Sequence, residues 1–234
     1  MRIVLCIMML IIPVTLNADQ VVIRAEKYVP ILQEIINSYW FDIPYKEIPM
    51  AQIEQESSWK EKATLNTSRE KGMGLTQITI AYSKDGTERF NNFKNAVKMK
   101  QLKDWDWKND PYNVRYQLSY MILKDKSNYN LVSKYMKNDK ESFRSLLVCY
   151  NAGYGRWLQR RTIAKTNGLS NNIWNGGLDS SCSSVEKSTI LYGRDLCSTV
   201  NEYPIKIELK SKNYLPILKP VPLINCTSCK RKII

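Results

Sequence analysis

Two neighbouring runs hold the residues best suited to chemistry. They are Ile53-Glu54-Gln55-Glu56-Ser57-Ser58-Trp59 and Lys71-Gly72-Met73-Gly74-Leu75-Thr76-Gln77-Ile78. The first reads as the end of an amphipathic helix that presents Glu56. The second reads as a glycine-hinged turn that can bring backbone and Gln77 beside that carboxyl. A carboxyl so placed can give and take protons as a general acid and base. The chain has no histidine. That excludes Ser/His and Cys/His nucleophile pairs and imidazole metal sites, and leaves proton transfer to carboxylates, Tyr or Lys.

The elements that must position these residues are mostly helical in pattern. Residues 20–39 carry Val22, Ala25, Val29, Leu32, Ile36 and Tyr39 at helical spacing behind Asp19 as a cap, and Pro30 is expected to kink or split this helix. A second helix spans about Glu47 to Ser58, with Pro49 in its first turn and Pro49, Gln52, Ile53 and Glu56 on one face. Residues 60–86 read as irregular and polar. A helix is expected from Thr87 through Phe90, Phe93 and Val97. Another is expected after Asp110-Pro111 with Val114, Leu118, Met121 and Ile122 inward, and a short one over Asn128 to Met136. Asn138 and Glu141 have capping-box spacing ahead of Phe143, Leu146, Leu147 and Tyr150, a helix that Gly153 would end. Residues 165–184 read as loop, Ser188 to Gly193 as a short helix, and the chain after Tyr203-Pro204 as extended.

The 234 residues are 44% hydrophobic, enough for a sizeable core, and length allows one domain or at most two. A formal net charge of +13 favours polyanionic partners such as nucleic acid, anionic membrane or bacterial wall polymers, without choosing among them. The basic residues are spread along the chain, and the densest run is Lys230-Arg231-Lys232. Met1 to Ala18 reads as a secretory signal: Arg2, an apolar run from Ile3 to Ile12, then Pro13 to a small residue at Ala18. An uncleaved weak anchor is the competing reading, since the run is short for a membrane span. Export permits disulfides, and Cys182 with Cys197, flanking a segment of modest length, is the expected pair. Cys226 and Cys229 have CxxC spacing but lack the further ligands of a zinc ribbon or the setting of a redox motif. A local or intermolecular disulfide, or two free thiols, remain open.

Glu56-Ser57-Ser58-Trp59, Ala63, Gly72, Gly74-Leu75-Thr76-Gln77-Ile78 and Tyr150-Asn151-Ala152-Gly153 resemble three successive motifs of the soluble lytic transglycosylase family: Glu-Ser, Gly-Leu-Met-Gln and Ala-Tyr-Asn-Ala-Gly. The stretch from Thr67 to Thr79, with Arg89-Phe90-Asn91 after it, is similar to a subgroup in phage and secreted bacterial proteins. The resemblance is close over Ile48 to Gly155 and weaker to about Tyr203, where Tyr192-Gly193 and Cys197 fit the subgroup. It implies a mainly α, goose-type lysozyme-like domain over residues 19–203, after a signal at 1–18 and before a loop-rich, extended Pro/Lys-rich tail at 204–234. By the same resemblance Glu56 is the catalytic acid/base and Ser57 supports it. Gly74, Leu75 and Gln77 form a substrate-cleft turn, in which Gln77 holds sugar or the loop after Glu56. Tyr150 places a hydroxyl near the acid, and Asn151 is its structural or sugar-binding neighbour. Thr76 replaces the usual Met, which could change how the muramic ring packs, and Cys149 replaces the usual Ala.

The implied activity is cleavage of the β-1,4 bond between N-acetylmuramic acid and N-acetylglucosamine with a 1,6-anhydro product, without cofactor or metal. The partner would be peptidoglycan strands and not nucleic acid. The protein would be a monomer exported to the periplasm or cell envelope, with no membrane span beyond the signal. A muramidase-type hydrolase on the same fold is the alternative. Hydrolases of this fold carry an aspartate soon after the turn, whereas here Thr79 and Ile80 follow and the first aspartate is Asp85. A non-catalytic glycan-binding component of a phage or secretion machine is the reading from a different class. Trp59, Trp105, Trp107 and Trp157 could stack on sugars or fill the core.

Overall fold

A computed structural model describes residues 15–191 and 193–218, with side chains from Gln20 onward except Leu191. The signal reading for residues 1–14, Cys6, Tyr192, Cys226, Cys229 and the basic run near the end lie outside the described residues. What is described is 59% helical with a small antiparallel sheet, so the mainly α expectation holds. No helix among the described residues is long and apolar enough to cross a membrane.

Helix α2 (Glu47–Ser57) runs through the core. Its Ile48, Met50, Ala51 and Ile53 are all buried, and burying a side chain such as Met50 or Ile53 contributes about 1.5–3 kcal/mol. Helix α1 (Thr15–Tyr39) joins the same core with Ala25, Val29, Leu32, Ile35 and Ile36. The helix is already formed at Thr15, so Asp19 lies within it and does not cap it. Pro30 stays inside one unbroken helix because it is exposed, as is Glu26 four residues earlier, so water can serve the carbonyl that Pro30 leaves unbonded.

After α2 the polar stretch folds as a sheet, against expectation. Strands β1 (Thr64–Asn66), β2 (Glu70–Met73), β3 (Ile78–Tyr82) and β4 (Glu88–Asn91) form an antiparallel meander in that order. Register places Gly72 opposite Thr79 and Met73 opposite Ile78. The physical signal is a period of two in β3, where Ile78 and Ile80 are buried on either side of half-buried Thr79. They join Met73, Phe93, Leu102, Trp105 and Tyr120 in a second, smaller core. The helix expected from Thr87 begins instead at α3 (Asn92–Ala96), because Asn91 Oδ1 accepts from the amides of Phe93 and Lys94.

Helix α4 (Val114–Val132) is capped by Asn113, not Asp110. It absorbs most of the segment expected as a separate short helix. Helix α5 (Asp139–Ala152) starts at the expected Asn138 cap, ends before Gly153, and packs along α4. Helix α6 (Tyr154–Thr166) follows directly, then the turn Trp174–Leu178 and α7 (Ser184–Ser188). Residues expected as a helix after Ser188 instead pair as β5 (Ile190–Leu191) and β6 (Arg194–Asp195).

The largest correction concerns the C-terminal part. Helix α8 (Leu196–Ser211), capped by Asp195, runs straight through the Tyr203-Pro204 boundary where an extended tail was expected. Ile205, Ile207 and Leu209 alternate in sequence, but Ile205 and Leu209 are exposed. The stripe that decides the conformation is Val200, Tyr203 and Ile207, buried at helical spacing. Helix α8 packs against α2 and α5, and the Cys182–Cys197 disulfide joins its first turn to the segment before α7, with Cα atoms 5.7 Å apart. Arg144 of α5 pairs with Glu208, and the fully buried Arg160 of α6 pairs with Glu186 of α7 and bonds Asn201 of α8.

The end of α2 is held from both sides. Ser58 and Trp59 have φ of 50° and 60°, in the left-handed region that costs a non-glycine residue on the order of 1 kcal/mol or more. Arg24 Nε bonds the Ser58 carbonyl at 2.9 Å, and the Trp59 ring stacks on Tyr28. Trp59 Nε1 donates to the Tyr214 hydroxyl at 2.7 Å, which donates to Glu54 at 2.8 Å. Tyr214→Phe would leave the buried indole N–H unpaired. A loss of about 1–3 kcal/mol in urea unfolding is expected, and unchanged stability would show that this anchor does not hold the turn.

Candidate active site

The site forms where the end of α2 meets the start of the sheet. A cavity of about 320 Å³ is lined by Glu56, Ser57, Lys60, Ala63, Thr64, Leu65 and Gln77. The two runs singled out in the sequence thus face each other, one from a helix end and one from a strand turn.

Glu56 is half-buried and lines this cavity. Burial disfavours its charged form and raises its pKa to about 7, and a hydrogen bond from the Tyr203 hydroxyl to Oε1 partly offsets that rise. Near neutral pH this carboxyl is therefore divided between acid and base. Burial, and then the nearby Glu56 charge, push the Tyr203 and Tyr150 hydroxyls well above their ordinary range, so both remain protonated donors. Tyr150, from α5, donates to the Thr76 carbonyl at 2.8 Å. Its hydroxyl lies close enough to Glu56 to feel that charge, while its described hydrogen bond fixes the turn.

That turn depends on Gln117 of α4, which is fully buried. Its Oε1 accepts from the Thr76 amide at 3.2 Å, and its Nε2 donates to the carbonyls of Met73 and Pro111. Gly74 has φ +80°, and a Cβ there would stand 2.0 Å from Gln117 Nε2, so both backbone and space require glycine. Gln77, itself left-handed at φ 46°, donates from Nε2 to Ala63 O at 3.2 Å and Gly74 O at 3.0 Å. Its amide N–H thus holds the segment that follows the Glu56 helix, one of the two roles expected for it.

Of the remaining residues expected in the site, Ser57 lines the cavity and is buried, with its hydroxyl on the Ile53 carbonyl at 3.1 Å. Leu75 is fully buried in the main core and shapes the turn from behind. Asn151 is exposed at the end of α5 and is not among the cavity-lining residues. Thr76 is fully buried on Gln117 and is not among the cavity-lining residues. Cys149 is a free, buried thiol whose pKa burial raises to about 12, in keeping with a small core residue. Trp59, Trp105 and Trp157 are also core.

Sequence reasoning missed Tyr203, Gln117 and Tyr214. Tyr203 stands at the expected start of the tail, although Val200, Tyr203 and Ile207 share a helical stripe that marks it as core. Gln117 and Tyr214 carry no local signal, because their roles arise from contacts 41 and 155 positions away along the chain.

The chain was also compared with known proteins: no family model and no curated protein matches it.

The raised Glu56 pKa has a consequence for stability. Folded, the carboxyl keeps its proton to about pH 7; unfolded, it releases it near the ordinary value of 4.5. Its contribution to stability is therefore complete below about pH 4.5 and is lost as pH rises through 7. Glu56→Gln is expected to gain about 3 kcal/mol over the wild type at pH 8, shrinking towards zero at pH 4. Chemical denaturation across pH measures this. Parallel stability curves for the two proteins would contradict a raised Glu56 pKa.

Proposed function

We propose that this chain is an exported peptidoglycan lytic transglycosylase with a goose-type lysozyme-like fold. The observation that carries the reading is the Glu56 carboxyl, poised near neutrality in a cavity opposite Gln77. Glu56 first protonates the oxygen between N-acetylmuramic acid and N-acetylglucosamine. The substrate's N-acetyl oxygen stabilises the anomeric carbon. Glu56, now ionised and supported by the Tyr203 hydroxyl, takes the proton from the muramic 6-hydroxyl as that oxygen closes the 1,6-anhydro ring. A helical core with a small sheet beside the acid supports the lysozyme-like fold, and the +13 charge suits an anionic wall. The signal-like residues 1–18 support export.

The hydrolase alternative rests on Asp85. That carboxylate stands on the exposed turn between β3 and β4, accepting from Thr87 N at 3.0 Å and Thr87 Oγ1 at 2.7 Å. These bonds hold its pKa below the ordinary range, and it is not among the cavity-lining residues. Its geometry gives the hydrolase no particular support.

Removing the acid tests the proposal. Glu56→Gln is expected to lower solubilisation of purified peptidoglycan by at least about 100-fold while co-sedimentation with the insoluble polymer persists. Cleavage at the wild-type rate by the variant would sink the mechanism. A wild type that binds peptidoglycan without cleaving it would make the protein a glycan-binding component instead.

A further inference from the structure

The chemistry above makes no use of Asp125. It lies on α4, only 2% exposed, behind the cavity and outside its lining. Its described hydrogen bond comes from Gln52 Nε2 at 3.5 Å. Gln52 is fully buried and sits one helical turn before Glu56 on α2, so the contact ties α4 to the turn that carries the acid. The other end of the same amide, Gln52 Oε1, is buried and has no donor.

These facts fit one protonation state. An ionised Asp125 would stand at full depth beside a second carboxyl, and it would do nothing for Gln52 Oε1, because a carboxylate only accepts. A neutral carboxylic acid has an O–H to give, and Gln52 Oε1 is the acceptor that lacks one. The groups that face Asp125 electrostatically are Glu56 from α2, Tyr150 from α5, Tyr203 from α8, and Tyr120 and Lys124 of its own helix. Only Lys124 is cationic, and it forms no described ion pair with Asp125. Burial, followed by the Glu56 charge, holds the Asp125 carboxyl well above the ordinary range, against the lowering effects of Gln52 and Lys124.

We propose that Asp125 is a neutral acid joined to Gln52 by two hydrogen bonds, acid O–H to amide carbonyl and amide N–H to acid carbonyl, and that this uncharged pair positions Glu56. An anion in its place would repel the ionised form of Glu56 and drive that group's titration upwards, away from neutrality. With the pair uncharged, Tyr203 is left as the main polar influence on Glu56. The positioning role rests on the reading of Glu56 as acid/base, whereas the protonation state does not.

Infrared difference spectroscopy on the full chain tests it. At pH 9, above the Glu56 titration near 7, one protonated-carboxyl band is expected to persist and to vanish in Asp125→Asn. Asparagine can rebuild both hydrogen bonds, so the Glu56 titration, assigned by its loss in Glu56→Gln, is expected to shift by less than about 0.3 pH units in that variant. Absence of the band in the wild type, or a downward shift of the Glu56 titration by about one unit or more in Asp125→Asn, would overturn the neutral pair. Both spectroscopic readings are independent of activity. If the wild type fails to cleave peptidoglycan, the proposed function fails and the protonation state stands or falls separately.

Discussion

An enclosed carboxyl loses free energy when it ionises, and the chain around Glu56 sets how much. Burial moves the group to about 7, and one phenolic hydroxyl, that of Tyr203, keeps it from moving further. The balance requires α2 and α8 to meet in one register, since the two residues lie on different helices far apart in sequence. Much of the C-terminal half serves that register. Arg144 with Glu208, Arg160 with Glu186 and Asn201, and the disulfide at Cys197 each fix α8 to another element. The left-handed Ser58-Trp59 turn, clamped by Arg24, Tyr28 and Tyr214, lets the chain leave α2 at once and enter the sheet.

The sheet supplies the other wall, and it has its own small core. The turn between β2 and β3 is fastened from behind by Gln117 and from α5 by Tyr150, and Gln77 closes it against Ala63. The helix side presents the acid and the sheet side presents an amide, with the cavity between them. Each wall is held by a separate means: apolar burial for α2, and a set of hydrogen bonds for the turn.

Local patterns made α1, α2 and α5 readable, because each has an apolar stripe at helical spacing and Asn138 is a true cap. Glu56, Ser57 and Gln77 were readable from their runs and do line one cavity. The sheet was missed because its strands are short and its period-two signal is confined to Ile78 and Ile80, amid glycines that look like loop. α8 was missed because Pro204 and an accidental alternation of Ile205, Ile207 and Leu209 concealed the stripe through Val200, Tyr203 and Ile207. The Tyr150 hydroxyl feels the Glu56 charge, while its described hydrogen bond goes to Thr76, a partner set by tertiary packing that no local pattern shows. Gln52 is legible on the Glu56 face of α2, but its contact with Asp125, 73 positions away, has no local signal.

The central claim is that Glu56 acts as a lone acid/base, with the substrate's own hydroxyl as nucleophile. Mass spectrometry of the soluble products from purified peptidoglycan addresses it directly. Muropeptides ending in 1,6-anhydro-N-acetylmuramic acid are the expected result. Products with ordinary reducing ends would mean that water attacks the anomeric carbon, and would contradict it.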